Sequence, residues 1–419
     1  MRALRLAMSV ALTAAVAQPA FSAGLFVPFS MDSATTMPKG IRSVRVGNFT
    51  TQIEDQYDGY GAVVPAANSF NKSVTWRKLI DSEAAGPDRG ILKGGVKSMQ
   101  DANIDLDAVA GVTHGMVNVR LTSTVPMLAY GLTEKITLGV GLPVVYSSTS
   151  IATGWTADAA MSEKLTKVMA SGFESKVMSL REKLQNVVRT QIASYGYKPL
   201  EDEQRQEIGD VTLGLKYKVF SGDLVSVALA PKLVVPTGRT ADVNKVVDVA
   251  PGDGQFDTGV SAVADWAVAP RFTMTTSAGY TYQWGSAKAK RIPRSADESI
   301  SPDVETVWEK FGDVMGTSLG GKYKPNDLTT VGLGYSLQYK QADEYGGSAY
   351  AAERYGYLAK DTWQSMQAVQ ASLGFTTVPL YRAGVFPVPA DLGLTYGRVL
   401  SGRNVNDVSL VFAELAAYF

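Results

Sequence analysis

The chain has no cysteine and only one histidine among its 419 residues. The first absence excludes a disulfide framework and a thiol nucleophile, and the second leaves too few imidazoles for a histidine-based metal centre. The formal net charge is zero, with 40 basic and 40 acidic side chains, so nucleic acid is not an expected partner. A hydrolytic pair would need His114 beside a serine such as Ser123, and nothing in their spacing favours it. We therefore expect neither enzymatic activity nor a cofactor.

Long apolar runs are also missing after the N-terminal region, so no transmembrane helix is predicted. Residues 1–22 instead have the three parts of a signal peptide: a basic start, a short apolar run and small residues before a cleavage position. These parts are Arg2 and Arg5, residues 6–17, and Ala20 with Ser22. An exported protein without a transmembrane helix is expected in the outer membrane of a Gram-negative bacterium.

Apolar and polar side chains alternate in segments long enough to cross a membrane, at 116–129, 135–146, 210–219 and 272–284. A strand repeats every two residues, so each segment has one apolar and one polar face. In the first segment the alternation predicts Val117, Val119 and Leu121 on the lipid face and Arg120 in the lumen. The fold class indicated is all-β, a transmembrane antiparallel outer-membrane β-barrel whose apolar band contacts membrane lipid and lipopolysaccharide.

Connections between the predicted strands alternate between short and long. The long ones are 53–103, 151–207, 237–254, 286–312 and 343–361. Bacterial barrels have brief periplasmic turns and extended outer loops, so this order predicts twelve strands, or fourteen if residues 53–103 contain another hairpin. The barrel would occupy residues 41–419 with a helical loop insertion at 156–200. Residues 23–40 would form a periplasmic N-terminal segment and a candidate plug.

One outer loop breaks the β pattern. Residues 159–195 have apolar side chains at helical spacing, which predicts a long amphipathic helix. Its apolar stripe must cover something, so it is either a lid on the barrel mouth, a capture site for a small hydrophobic ligand, or a docking face for a partner protein. The candidate capture residues are Met161, Leu165, Met169, Phe173, Leu180 and Leu184.

Two prolines and the last residue are further candidates for function. Pro126 and Pro143 lie inside predicted strands, where each removes a hydrogen-bond donor from the ladder. They indicate either a bulge or early strand end, or a wall irregularity that opens sideways toward lipid. Phe419 ends an alternating apolar strand, which resembles the signal that the barrel-assembly machinery recognises.

Several phrases of the sequence resemble one family. They are residues 37–40 (MPKG), 209–217 (GDVTLGLKY), 236–238 (PTG), 256–260 (FDTGV) and 279–282 (GYTY). Together they are similar to outer-membrane transporters linked to the meta-cleavage pathway of phenol degradation, which distantly resemble the long-chain fatty-acid transporters. The resemblance implies passive uptake of small hydrophobic or aromatic compounds through a plugged barrel, and it assigns no binding residue. A general diffusion porin with a loop lid, or a structural barrel whose helix docks a partner, remains an alternative.

Overall fold

A computed structural model describes residues 33–68, 71–75, 77, 105–158, 192–296 and 300–419. The predicted signal peptide and most of the predicted long helix lie outside these ranges. So do the six candidate capture residues Met161, Leu165, Met169, Phe173, Leu180 and Leu184. Within the described ranges no helix is long and apolar enough to cross a bilayer.

The strands and helices of the described residues follow one another in a simple order. They are β1 (Arg42–Ile53), β2 (Asp55–Tyr57), β3 (Val63–Pro65), β4 (Lys72–Thr75), β5 (Val109–Thr133), β6 (Ile136–Gly141), β7 (Val144–Ala157), β8 (Glu203–Ile208), β9 (Val211–Ser221), β10 (Val225–Val235), β11 (Asp257–Ala269), β12 (Phe272–Gln283), β13 (Ser286–Arg291), β14 (Val304–Lys310), β15 (Val314–Tyr323), β16 (Thr329–Lys340), β17 (Glu344–Gly346), α1 (Ala352–Ala359), β18 (Gln364–Thr376), α2 (Val378–Arg382), β19 (Ala390–Arg403), β20 (Val405–Asp407) and β21 (Ser409–Tyr418).

Twelve of the chain's passes form a closed antiparallel barrel. The order around the wall is β1, β5, β6 continued by β7, β9 continued by β8, then β10, β11, β12, β15, β16, β18, β19 and β21. The barrel closes because β1 pairs with both β5 and β21. Two small sheets, β13–β14–β17 and β20–β2–β3, stand on the outer loops. The predicted fold class and the predicted count of twelve strands are confirmed.

The two faces of the wall differ in the way that a membrane requires. Large apolar side chains with exposures between 37% and 67% cover the outward face: Leu128, Leu138, Val140, Leu213, Tyr217, Leu229, Val260, Tyr280, Leu319, Leu333, Leu337, Leu373, Leu394, Val411 and Leu415. The inward face is rich in glycine, which leaves room in the lumen: Gly47, Gly139, Gly141, Gly214, Gly259, Gly279, Gly316, Gly334, Gly374 and Gly393. Exposed aromatic side chains lie at both strand ends, where interfacial belts form in membrane proteins, and they include Tyr146, Trp284, Tyr339, Trp266 and Phe375.

The prediction for the faces of β5 is wrong over the whole segment 116–129, because Val125 and Met127 also point inward. Val117, Val119 and Leu121 are at most 4% exposed and point inward, whereas Arg120 is exposed on the outside. At residues 117–121 the reason is that this part of β5 rises above the membrane. There the outside of the wall meets water and head groups, and the inside is filled by packed loops, so the apolar face is the inner one.

An apolar core fills the outer mouth of the barrel. It joins wall residues to residues of four outer loops, and its buried members are Ile53, Ala66, Ala67, Val117, Val119, Leu121, Ile192, Tyr197, Leu200, Val247 and Ile300. Arg291 holds part of this core in place, because its guanidinium donates to the carbonyls of Tyr195 and Ser301 and stacks 4.0 Å from the Tyr197 ring. The outer loops therefore pack into the mouth of the barrel.

Helix α1 is fixed to the outer loops by a small ion cluster. Both Arg294 and Arg354 contact the Asp303 carboxylate, at 2.9 and 2.7 Å. The hydrogen bond from Arg294, and that from Arg354, hold the pKa of Asp303 below its ordinary value of 3.8 in spite of partial burial. Arg354 also donates to the carbonyls of Ile292 and Pro293, so one side chain ties α1 to the adjoining loop.

Acid is expected to loosen this attachment of α1. Since the pKa of Asp303 is lower in the folded than in the unfolded state, its ionised form stabilises the fold. That stabilisation is complete above pH 3.8 and is lost as the pH falls through the depressed pKa. Hydrogen exchange of residues 352–359 should therefore speed up severalfold in this acid range relative to β16. In Asp303→Asn the exchange should already be fast at neutral pH and should change little in acid. Equal pH profiles in both proteins would contradict the assignment.

Candidate functional site: a break in the barrel wall

The barrel wall is interrupted where the regular hydrogen bonding of two neighbouring strands stops. Leu142 and Pro143 separate β6 from β7, and Gly209 and Asp210 separate β8 from β9. We call these four residues the wall break. On the same side of β5, Met127 is the last residue paired with β6 and Thr124 is the first paired with β7. Val125 and Pro126 therefore have no paired residue on that neighbouring strand. Pro126 and Pro143 both lie at this interruption, and their role as an opening toward lipid stays a prediction.

Only a few backbone hydrogen bonds span the break. The Leu142 N–H donates to the Pro126 carbonyl at 3.1 Å, and the Gly209 N–H donates to the Pro143 carbonyl at 2.8 Å. Pro143 cannot donate from its own nitrogen. A Cβ on Gly209 would lie 2.9 Å from Cγ of Pro143 and 3.1 Å from the Pro251 carbonyl oxygen, so this position has no room for a side chain.

The loop between β10 and β11 covers the inner side of the break. Asp210 accepts a hydrogen bond from the Gly238 N–H at 2.8 Å. Thr237 bridges the two sides of the strand interruption, because its hydroxyl donates to the Gly209 carbonyl and accepts from the Val211 N–H. Gly238 and Gly252 approach so closely that a Cβ on either would lie 2.9 Å or less from the other's backbone. The two ends of the loop thus form a narrow neck against the break.

The same loop is fastened to β8 by an arginine. Arg239 makes paired contacts with the carboxylates of Glu207 and Asp248, the shortest being 2.6 Å in each case. Such bidentate pairs fix geometry more firmly than single contacts. Lys245 adds an ion pair with Glu203 at 2.5 Å. The loop therefore has a defined position over the break.

Apolar side chains line the lumen wall beside the break. A Cβ on Gly141 would lie 3.3 Å from Cγ of Met127 and 3.6 Å from Cγ1 of Val125. On the other side of β5, the Phe412 ring lies over Gly47, where a Cβ would be 2.9 Å from it. Sequence reasoning did not predict this patch, because its members come from β5, β6, β1 and β21 and only the register of the barrel brings them together.

Residues 33–40, the N-terminal segment, enter the lumen at the periplasmic end. Asp265 accepts hydrogen bonds from the Ser33 hydroxyl at 2.7 Å and the Ala34 N–H at 2.9 Å. The Lys216 ammonium donates to the Ser33 carbonyl at 2.8 Å. Farther along, the Met37 N–H donates to the Thr137 hydroxyl at 2.8 Å. The segment is thus bound to the inner faces of β6, β9 and β11.

The packing of this segment is tight. Ala34 is fully buried and Thr36 is 6% exposed. A Cβ on Gly131 would lie only 2.0 Å from the Pro38 carbonyl oxygen, so the segment is seated directly on the β5 backbone. Residues 33–40 therefore pack against the inner face of the barrel wall, and their role as a plug stays a prediction.

The remaining sequence candidates are distributed as follows. His114 and Ser123 are not brought together, because His114 is exposed on the outside of β5 and Ser123 is buried on the inside. No group of metal-ligating side chains is present among the described residues. Phe419 is 63% exposed, and its backbone pairs with Arg42 at the periplasmic end of the wall. Its role as an assembly signal stays a prediction.

Comparisons with solved structures support the fold. An outer-membrane channel from Pseudomonas putida F1 is similar with a TM-score of 0.51 at 11% identity, over 93% of this chain and all of that one. The toluene transporter TodX of Pseudomonas putida gives 0.32 at 12% identity, over 91% of this chain and 90% of that one. A FadL homologue of Pseudomonas aeruginosa gives 0.33 at 10% identity, over 92% and 91%. The last two similarities are too low to support a conclusion.

The sequence motifs indicate one family, and a family model matches part of the chain. No curated protein gave a significant match to the chain. Residues 175–381, however, match the family model described as "Putative MetA-pathway of phenol degradation". That range contains the four motifs at 209–217, 236–238, 256–260 and 279–282, and with them the two sides of the β10–β11 loop that covers the wall break. Residues 175–381, just under half of the chain, are thus similar to this family.

Proposed function

We propose that this protein is an outer-membrane channel for passive uptake of small hydrophobic or aromatic compounds. The observation that carries the proposal is the wall break, which lies at the upper edge of the lipid-facing band and beside an apolar patch of the lumen wall. An apolar solute is more stable in the hydrocarbon of the membrane than in water. A lateral opening in the wall would let the solute pass from the membrane into the lumen without crossing an aqueous pore.

Two further observations support a specific channel over a general diffusion porin. The outer mouth is filled by the apolar core, and the periplasmic end holds the N-terminal segment. A porin needs a continuous aqueous path between the two ends. A solute that enters through the wall break would arrive between the two obstructions, and only the periplasmic one would then have to move.

The predicted amphipathic helix, residues 159–195, has a place in this scheme. Residues 192–200, which contain its predicted end, contribute Ile192, Tyr197 and Leu200 to the apolar core. The predicted helix would therefore end at the barrel mouth. We propose that its apolar stripe, including Met161, Leu165, Met169, Phe173, Leu180 and Leu184, collects the hydrophobic ligand or covers the mouth.

Replacing Pro143 by Val should reduce uptake without unfolding the barrel. Valine supplies the missing N–H and favours strand geometry, so the ladder can extend through the break. Uptake can be followed with N-phenyl-1-naphthylamine, a hydrophobic aromatic probe that fluoresces once it passes the outer membrane, in cells that produce the variant. We expect initial rates to fall severalfold.

Pro231→Val is the matched control. Pro231 also lies within a barrel strand, but on β10 and away from the break. Heat-modifiable migration on gels would show that both variants fold. Unchanged uptake in Pro143→Val would contradict the wall route, and an equal loss in Pro231→Val would indicate a general effect on the barrel.

A further inference from the structure

One sector of the outer surface, at the level of the aromatic rim, is mostly polar. Above the wall break, the outward side chains of β1, β5, β7 and β8 form what we call the outer polar strip. Its members are Asn48, Thr50, Gln52, Asn118, Arg120, Thr122, Thr124, Tyr146, Ser148, Ser150, Gln204 and Gln206. Nearly all of them are neutral hydrogen-bonding groups.

The side chains of the strip form regular rows because its strands are in register. Gln52 is opposite Arg120, Arg120 is opposite Ser148, and Ser148 is opposite Gln204. Four adjacent strands make a row about 14 Å wide. Cross-strand hydrogen bonds connect other members of the strip. The Asn48 amide donates to the Thr124 hydroxyl at 2.9 Å, and the hydroxyls of Thr50 and Thr122 are 3.1 Å apart.

Arg120 stands in the middle of this row without a partner. Its guanidinium is exposed and has no hydrogen bond or ion pair among the described residues. The nearby carboxylate of Glu54 is already engaged by the amides of Gln52 and Asn118. An exposed guanidinium with free donors is suited to bind a phosphate group in bidentate fashion.

The position of the strip indicates which molecule it meets. Directly below it, the outward side chains become apolar at Val46, Pro126 and Leu128, where the lipid-facing band begins. The strip therefore lies at the level of the head groups of the outer leaflet. In a Gram-negative outer membrane these head groups are the phosphorylated sugars of lipopolysaccharide.

We propose that the outer polar strip binds the phosphorylated core oligosaccharide of lipopolysaccharide. Arg120 contacts a phosphate, and the amides and hydroxyls on either side hydrogen-bond the sugar hydroxyls. The site is continuous with the lipid-facing band, so one lipopolysaccharide molecule would place its acyl chains on Val46 and Leu128 and its sugars on the strip. This proposal does not depend on what the channel transports.

The test measures lipopolysaccharide retained by the refolded, full-length mature protein. The protein in detergent is mixed with purified lipopolysaccharide that carries a phosphorylated inner core, and bound molecules are counted by native mass spectrometry. Arg120→Ala should weaken retention about fivefold, the scale of one exposed charge-assisted contact. Arg120→Lys, which keeps the charge but loses the planar guanidinium, should retain an amount between those of the unaltered protein and Arg120→Ala. Arg403→Ala, at an exposed arginine on the outer end of β19, is the matched control and should bind normally.

Two further arms identify the group that is recognised. Lipid A without core sugars should bind the unaltered protein and Arg120→Ala equally, and phosphatidylglycerol should compete poorly. The proposal is overturned if Arg120→Ala retains as much inner-core lipopolysaccharide as Arg403→Ala. It is also overturned if lipid A or phosphatidylglycerol reproduces the full difference between the variants, since the sugars would then contribute nothing.

Discussion

Deleting residues 156–200 alone is expected to leave the barrel almost silent in planar bilayers. The deletion removes Ile192, Tyr197 and Leu200 from the apolar core at the outer mouth. It leaves the N-terminal segment in the lumen at the other end, bound to Asp265 and Lys216. Two obstructions in series keep a pore closed until both are removed. Steady conductance should therefore appear only when the loop deletion is combined with release of the segment.

The segment can be released without changing the charge of the lumen. Lys216→Ala with Asp265→Ala removes one cation and one anion, and both contact Ser33. The control is Arg45→Ala with Glu414→Ala, a lumen ion pair of 3.2 Å with no contact to residues 33–40 among the interactions described above. With residues 156–200 deleted in each case, the first double variant should conduct steadily and the second should stay nearly silent.

Each other result has a definite meaning. Large conductance in the unaltered protein would support the diffusion porin and replace the proposed function. Steady conductance after the loop deletion alone would show that the N-terminal segment does not close the lumen. Silence in every variant would place the obstruction in the loop over the wall break, between Gly238 and Gly252. Heat-modifiable migration on gels would confirm that the deleted proteins fold.

The strand plan could be read from the sequence, because it depends on local patterns. Period-two alternation marks a strand wherever one face is apolar, and short turns between long loops set the strand count and orientation. The polarity of those faces could not be read in the same way. Above the membrane the apolar face turns inward, so Val117 and Arg120 exchange the positions that a lipid-facing strand would give them.

The site was predicted in part for a similar reason. Pro126 and Pro143 predict a local loss of hydrogen bonding, since proline lacks the backbone N–H. Gly209 on the neighbouring strand carries no such signal, because glycine is common throughout this barrel. Register between distant segments brings Pro38 against Gly131. It also forms the apolar patch at Val125, Met127 and Phe412. No single segment of the sequence contains that information.

A disulfide across the wall break should close the proposed entry route reversibly. Val125→Cys with Gly141→Cys places the two sulfurs on the lumen side, where the register between β5 and its neighbour is missing. A Cβ on Gly141 would lie 3.6 Å from Cγ1 of Val125, so the two positions are within the reach of a disulfide. The natural chain has no cysteine, so no other thiol can interfere.

Uptake of N-phenyl-1-naphthylamine should fall to near the rate of cells without the protein when the pair is oxidised, and should recover after reduction. Recovery distinguishes closure of the route from damage to the barrel, because reduction restores the separation of the two strands but leaves both substitutions in place. Ser277→Cys with Ser318→Cys is the matched control, since these lumen-facing hydroxyls are 2.6 Å apart in a regular part of the wall. A disulfide there should leave uptake unchanged in both redox states. Full uptake through the oxidised Val125 and Gly141 variant would show that the wall break is not the way in, and the apolar core at the outer mouth would then be the entry to test.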